Sequence, residues 1–145
     1  MFFTNASDFQ VNGETAGTWR TLSKAEWDYL LNSRANASSL RAWKKLDEGT
    51  HKGLVILPDG TENPSEVLGC IESVYDLASS GAVFLPAAGF RNGTFMCSVG
   101  PYDYYWSSSP IEGYEGEVYY LDFDSGDVGT HFGGRNDGYS VRLVR

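Results

Sequence analysis

Apolar positions first recur at helical spacing just after Ser23. Trp27, Leu30 and Leu31 stand at i, i+3 and i+4, the stripe of a helix with one buried face. Ser23 and Glu26 form an S-x-x-E capping box, in which each side chain satisfies a backbone donor of the first turn. The pattern predicts a helix over about 24–34, with Arg34 suited to the negative helix end. Gly53-Leu54-Val55-Ile56-Leu57 is a short continuous apolar run closed by Pro58-Asp59-Gly60, so it reads as a buried strand and a turn. Helical spacing returns over 66–80 with Val67, Leu68, Ile71, Val74, Tyr75 and Ala78, and Gly81 stands where a helix C-terminus favours glycine. Ala82-Val83-Phe84-Leu85-Pro86 reads as a second strand.

After Gly89 the texture changes. Nine of the 17 glycines fall between Gly93 and Gly138, and seven of the nine tyrosines between Tyr102 and Tyr139. Three short strands are predicted there, over 104–108, 117–123 and 139–144. In the second, Tyr119, Leu121 and Phe123 alternate with Val118, Tyr120 and Asp122. Long loops of Gly, Asp, Ser and Tyr are expected between these strands, with 95–139 as the loop region. Helices first and antiparallel strands afterwards make an α+β class. The expected core includes residues 83–85, Trp106, Val141 and Leu143, and Arg91 and Arg142 are expected to stabilise the scaffold by hydrogen bonding.

At 145 residues, the chain 1–145 reads as a single domain large enough to bury a core without metal or disulfide staples. Hydrophobic residues at 41% and charged residues at 21% exclude a disordered composition, and no apolar run reaches membrane-helix length. The net charge of −8 is uneven. Residues 1–57 hold seven Lys/Arg against six Asp/Glu, a net of +1; residues 58–145 hold four against thirteen, a net of −9. That second half argues against nucleic-acid partners and anionic lipid, both of which need clustered Lys/Arg. Cys70 and Cys97 are too few for a disulfide framework and lack zinc spacing. Two buried free thiols are expected, with a Cys70–Cys97 pair as the alternative. Residues 1–5 lack the basic and apolar regions of a signal peptide.

No GxSxG, Walker loop, HExxH or GxGxxG stands in the chain. His51 and His131 are 80 positions apart with no nucleophile beside them, and each reads as a surface histidine. Asp122, Asp124 and Asp127 lack the closing Glu of an EF-hand and read as a solvated acidic loop. Ser107-Ser108-Ser109 has no general base at a known spacing, so polar strand-edge residues are expected. Asn5, Asn36 and Asn92 open glycosylation sequons. No catalytic residue, metal or cofactor is therefore expected.

The positive signal is the Tyr/Gly/Asp/Ser texture itself. Tyrosine offers a large contact area with few rotors and a polar tip, while Gly, Ser and Asn offer adaptable hydrogen bonding; this is paratope chemistry. The candidate ligand-binding residues are Tyr102, Asp103, Tyr104, Tyr114, Tyr120, Asp122, Asp124, His131, Phe132, Asn136, Asp137 and Tyr139. Sheet-covering tyrosines and turn glycines are the alternative explanation of the same residues.

Several blocks also carry a family resemblance. The stretch 18–30, TWRTLSKAEWDYL, is similar to the opening of the formylglycine-generating-enzyme-like branch of the C-type lectin fold. GLVILPD at 53–59, GAVFLPAAGFR at 81–91, YYWSS at 104–108 and GYSVRLVR at 138–145 continue it in order. Together they resemble the Fibrobacter succinogenes major paralogous domain family, abundant in gut Bacteroidetes, over nearly the whole chain from Thr18 to Arg145. The resemblance implies a C-type lectin fold with two helices packed on a small, mostly antiparallel sheet, and an extracellular or cell-surface setting. It also implies kinship with the variable proteins of diversity-generating retroelements, whose C-terminal segment is rewritten at template adenines into NNC-type codons. Cys97, Asp127 and the candidate residues named above stand where such proteins vary, and nearly all are residues that NNC encodes. The enzyme branch needs a reactive or copper-binding cysteine set near its C-terminal motif, and no cysteine follows Cys97. The EPN, QPD and WND tripeptides of calcium-dependent lectins are absent. The expected function is a non-enzymatic domain binding a protein or glycan ligand. The alternatives are a formylglycine-generating-like oxidoreductase and a fixed structural module of a surface appendage or phage.

Overall fold

A computed structural model describes residues 18–145. The expectations on residues 1–5 and on the Asn5 sequon lie outside the described residues. In chain order the strands are β1 (Arg20–Thr21), β2 (Arg41–Leu46), β3 (His51–Ile56), β4 (Val83–Pro86), β5 (Phe90–Asn92), β6 (Phe95–Cys97), β7 (Asp103–Ile111), β8 (Tyr114–Phe123), β9 (Val128–Gly134) and β10 (Leu143–Val144). The α-helices are α1 (Lys24–Asp28), α2 (Pro64–Cys70) and α3 (Val74–Ser80). The class is α+β, with short helices and several small antiparallel sheets: β1-β10, β2-β3-β4, β5-β6 and β7-β8-β9.

The predicted capping box forms. Ser23 Oγ accepts from Glu26 N at 3.2 Å, and Glu26 Oε2 accepts from Ser23 N at 2.9 Å. The helix that follows is shorter than its apolar stripe. After Asp28 the chain widens into a π turn over Tyr29–Ser33, where Arg34 N donates to Tyr29 O at 2.9 Å. Trp27 and Leu31 nonetheless both reach the core. Arg34 stands at the end of this turn, as its suitability for the negative helix end predicts. It is buried, and its Nη1 donates to Asp59 Oδ1 at 2.9 Å, tying the helix to the turn after β3.

The helical spacing over 66–80 resolves into two helices. Ile71 takes an extended conformation and goes into the core, which ends α2. Ser73 then opens a new capping box with Asp76, whose Oδ2 accepts from Ser73 N at 2.8 Å. Gly81 closes α3 at φ 66°, as its position predicts.

Strand β2, which carries no clean alternation in sequence, pairs antiparallel with β3, and β3 pairs with β4. Gly53 of β3 sits where an added Cβ would fall 2.1 Å from Leu85 O, so no larger residue fits this pairing. The sheet has a core on each face. Leu54, Ile56 and Leu85 join Trp27, Leu31, Tyr105, Leu121 and Phe123 on one side. Val55 and Leu57 join Leu40, Leu46, Leu68 and Ile71 on the other. This explains why β3 reads as a continuous apolar run: it is buried on both faces.

The C-terminal half departs most from the pattern-based expectation. The region 95–139 is mainly a meander of three long strands, not long loops. Strand β7 starts at Asp103 and runs to Ile111, β8 starts at Tyr114, and β9 was not predicted at all. The stretch 139–144 is regular only at Leu143–Val144; before that it is bridged singly, Tyr105 with Ser140. Of the expected core, Leu85 is buried, while Val83 and Val141 are exposed because their sides of the chain face solvent. Trp106 and Leu143 are only half-buried. Ser107, expected at a polar strand edge, is buried, and its Oγ donates to Tyr119 O at 2.7 Å. Both thiols are free, and neither is buried: Cys70 is exposed and Cys97 intermediate. Arg91 supports the scaffold through its backbone, exchanging hydrogen bonds with Gly138 at 3.0 and 2.8 Å.

Candidate functional site

Alternation along β7, β8 and β9 sorts the candidate residues by face. On β7, Asp103, Tyr105 and Ser107 point inward and are buried, so Tyr104 and Trp106 point outward. On β8, Leu121 and Phe123 are buried, so Tyr120 and Asp122 share the outer face. The register then sets Tyr104 opposite Asp122, Trp106 opposite Tyr120, and Tyr120 opposite His131. Paired residues in an antiparallel ladder lie on the same face. The outer face is therefore a row of aromatic rings with a carboxylate and an imidazole.

Tyr139 completes it. The chain after β9 turns back beside β7, with Trp106 N donating to Ser140 O at 2.9 Å and Ser140 N to Tyr104 O at 2.8 Å. Ser140 faces inward toward Asp103, which sends Tyr139 outward. Its ring centroid lies 4.4 Å from Trp106, 4.8 Å from Tyr120 and 5.0 Å from Tyr104. Phe90 of β5 closes one end, edge-on to Tyr104 at 5.1 Å and to Tyr139 at 5.7 Å. Offset and edge-to-face contacts of this kind hold aromatic groups in fixed orientation. A glycine gap makes the packing possible. A Cβ on Gly133 would fall 3.0 Å from Tyr120 Cε1 and 3.4 Å from the Tyr139 hydroxyl.

Polar groups edge this platform. His131 Nε2 stands 3.3 Å from Asp122 Oδ1, and the Tyr139 hydroxyl donates to Asp137 Oδ2 at 3.2 Å. Burial raises the Asp122 carboxyl above its ordinary range, with the charge of His131 opposing. Burial, then the Asp122 charge, raises the hydroxyls of Tyr104 and Tyr120, and burial with Asp137 raises Tyr139. At neutral pH the tyrosines are thus neutral hydroxyls that both donate and accept.

The other candidates lie elsewhere. Asp103 is 0% exposed, because the first residue of β7 faces inward, so it is corrected from a ligand contact to a buried structural acid. Burial is the main reason its carboxyl is raised to about 7, against opposing hydrogen bonds from the Tyr104 backbone, Ser140 and the Ala88 backbone. Phe132, 57% exposed, falls on the face opposite the platform, edge-on to Tyr119. Tyr114, 65% exposed, stands at the β7–β8 hairpin turn. Asn136 is exposed in the turn after β9. Tyr102 and Asp124 line a separate groove with Trp43. Asp124 also organises the β8–β9 turn, its Oδ1 accepting from Gly126 N and Asp127 N at 2.6 and 2.8 Å.

Sequence reasoning missed Phe90 and assigned Trp106 to the core. The Tyr-x-Trp spacing of 104 and 106 was the available signal, since residues two apart on a strand share a face. Among the described residues no group of three or more His, Cys, Asp or Glu converges to hold a metal ion. The platform presents ring faces, hydroxyls and edge carboxylates. No family model matches the chain, and no curated protein or solved structure gives a significant match.

Proposed function

We propose that the chain is a non-enzymatic binding domain with a C-type lectin fold, and that it recognises a macromolecular ligand, a protein or a glycan, on the outer face of β7-β8-β9. The observation that carries this reading is the cluster of Tyr104, Trp106, Tyr120 and Tyr139, four half-buried rings in mutual contact, three on β7 and β8 and the fourth from the chain that turns back beside β7. Rings left half-exposed on a rigid support cost solvation that a ligand recovers, and their fixed orientation lowers the entropy lost on binding. The likeness of the sequence blocks to the paralogous-domain family supports the fold assignment, as does the pairing of β1 with β10, which joins the two described ends of the chain. Display outside the cell follows from the same likeness. Among the described residues no helix is long and apolar enough to cross a membrane.

We further read the platform as a diversified surface of the retroelement type. Tyr104, Tyr120, Asp122, His131, Asp137 and Tyr139 are NNC-encodable. A library randomised at Tyr104, Asp122, His131 and Asp137 in the whole chain, panned against one unrelated purified protein, is expected to yield binders whose Tm stays within about 10 °C of the parent. Library members that lose cooperative unfolding as a class would sink the reading, because a display face must tolerate change. Sequencing the DNA beside the gene tests diversification separately: a 3′ near-duplicate differing at adenines, with a reverse-transcriptase gene, is the expected result.

A further inference from the structure

The groove beside Trp43 points to a second ligand, independent of the platform. On β2 and β3 the core-facing row runs Arg41, Trp43, Lys45 against Ile56, Leu54, Lys52. The row is apolar where it meets the core and ends in two lysines directly opposite one another. Like charges in direct cross-strand register are destabilising. Neighbouring Lys44 donates to Leu68 O at 2.8 Å, but Lys45 and Lys52 have no carboxylate within ion-pair distance among the described residues, in a chain of net charge −8. Folding therefore sets two lysines in direct cross-strand register at one end of the groove, neither of them in an ion pair with a described residue.

The surroundings say what anion suits them. The two lysines, Trp43, Tyr102, Asp124 and Ser125 line one cavity of about 340 Å³. Gly100, at φ 95°, lies beside the Lys52 stem, where an added Cβ would stand 4.0 Å from Cδ. Trp43 is itself packed against the core, its ring tilted 60° to Phe123 at a centroid distance of 6.0 Å. The cavity thus has aromatic rings, a paired cationic end, and a carboxylate and hydroxyl as further polar wall. We propose that it binds a sugar acid: a pyranose-sized ring whose C–H face lies on an aromatic wall, whose carboxylate bridges Lys45 and Lys52, and whose hydroxyls donate to Asp124. The cavity volume is near the lower end of small-molecule sites, roughly 300–1,000 Å³. A bare anion leaves the rings unused, and an aromatic acid offers nothing to Asp124. The acid-rich second half disfavours more highly charged phosphoesters.

The test is titration of the ¹⁵N-labelled chain with sodium glucuronate, glucose, benzoate and inorganic phosphate at matched ionic strength. Glucuronate is expected to shift the Trp43 indole N–H and the amides of Gly100 and Tyr102, with a Kd on the order of millimolar, as suits so small a ligand. The double variant Lys45→Gln, Lys52→Gln is expected to hold or slightly raise its Tm, since a like-charge pair is removed, and to weaken glucuronate by about tenfold or more. No shift with glucuronate overturns the proposal. So does glucose, benzoate or phosphate shifting the same signals equally well, since each lacks one of the three required features. A double variant that binds glucuronate as tightly as the parent also overturns it.

Discussion

Asp103 shows how one side chain carries both the fold and a pH dependence. Its carboxyl is wholly buried, one oxygen has no hydrogen-bond partner, and the nearby Tyr105 hydroxyl donates instead to Pro86 O at 3.1 Å. Protonation makes that orphan acceptor a donor and removes a buried charge. The native state therefore holds the proton up to about pH 7, whereas an unfolded aspartate releases it near pH 4, the ordinary value. The resulting stabilisation is complete below the unfolded pKa and is lost as pH rises through the folded one. Urea unfolding of the parent should show stability falling from about pH 4 to pH 7, and Asp103→Asn should lessen that fall, leaving the share of the also-raised Asp122, and be the more stable form at pH 8. Parallel profiles for the two proteins would refute the assignment. Asp103 was singled out for its residue type, and only the inward phase of β7 reveals its role. An aspartate flanked by tyrosines on both sides looks the same in sequence whether it faces a ligand or the core.

Strand β9 governs the platform by omission. Gly129 and Gly133 lie on the outer face across from Asp122 and Val118, and the gap at Gly133 admits the rings of Tyr120 and Tyr139. Gly133→Val should force those rings apart. The expected outcome is a loss of about 1–3 kcal/mol, the usual cost of overpacking, with altered near-ultraviolet circular dichroism from the tyrosines. An unchanged aromatic spectrum would show that the gap has no part in orienting them. Elements with strong local signals were legible in sequence: the Ser23–Glu26 cap, the β3 run, Gly81 and the alternation in β8. Strand β9 was not, because VGTHFGG has three glycines and little apolar periodicity, and it is held by pairing to β8 rather than by its own propensity. Strand β2 was hidden for a related reason, since its lysines interrupt the pattern that Trp43 and Leu46 begin. The platform was legible as a list of residue types, but its membership needed the register.

For the whole molecule, adjacent residues of one strand serve different cores. Leu54 packs with Trp27, Tyr105 and Phe123, and Val55 with Leu46, Leu57 and Ile71. A shared central strand couples the two, so they should melt together. Leu54→Ala is expected to cost about 2–5 kcal/mol and Val55→Ala somewhat less. Each should shift one common transition seen by tryptophan fluorescence and by far-ultraviolet circular dichroism. Separate transitions in either variant would show that the cores are independent units.

The β1–β10 ladder has a mechanical consequence. Its register sets Arg20 opposite Val144 and Thr21 opposite Leu143, close to where the described chain enters and leaves. Arg145 adds a cation–π contact on Trp19, 5.5 Å from the ring centroid. Tension applied between the two ends loads the bonds of this ladder one pair at a time, as in opening a zipper, and not all together as in shear. The ladder is thus among the first parts of the described chain to bear such a pull. Load reaches β7 only after it, through the Ser108 N–Leu22 O bond that ties the residue after β1 to the sheet holding the aromatic face.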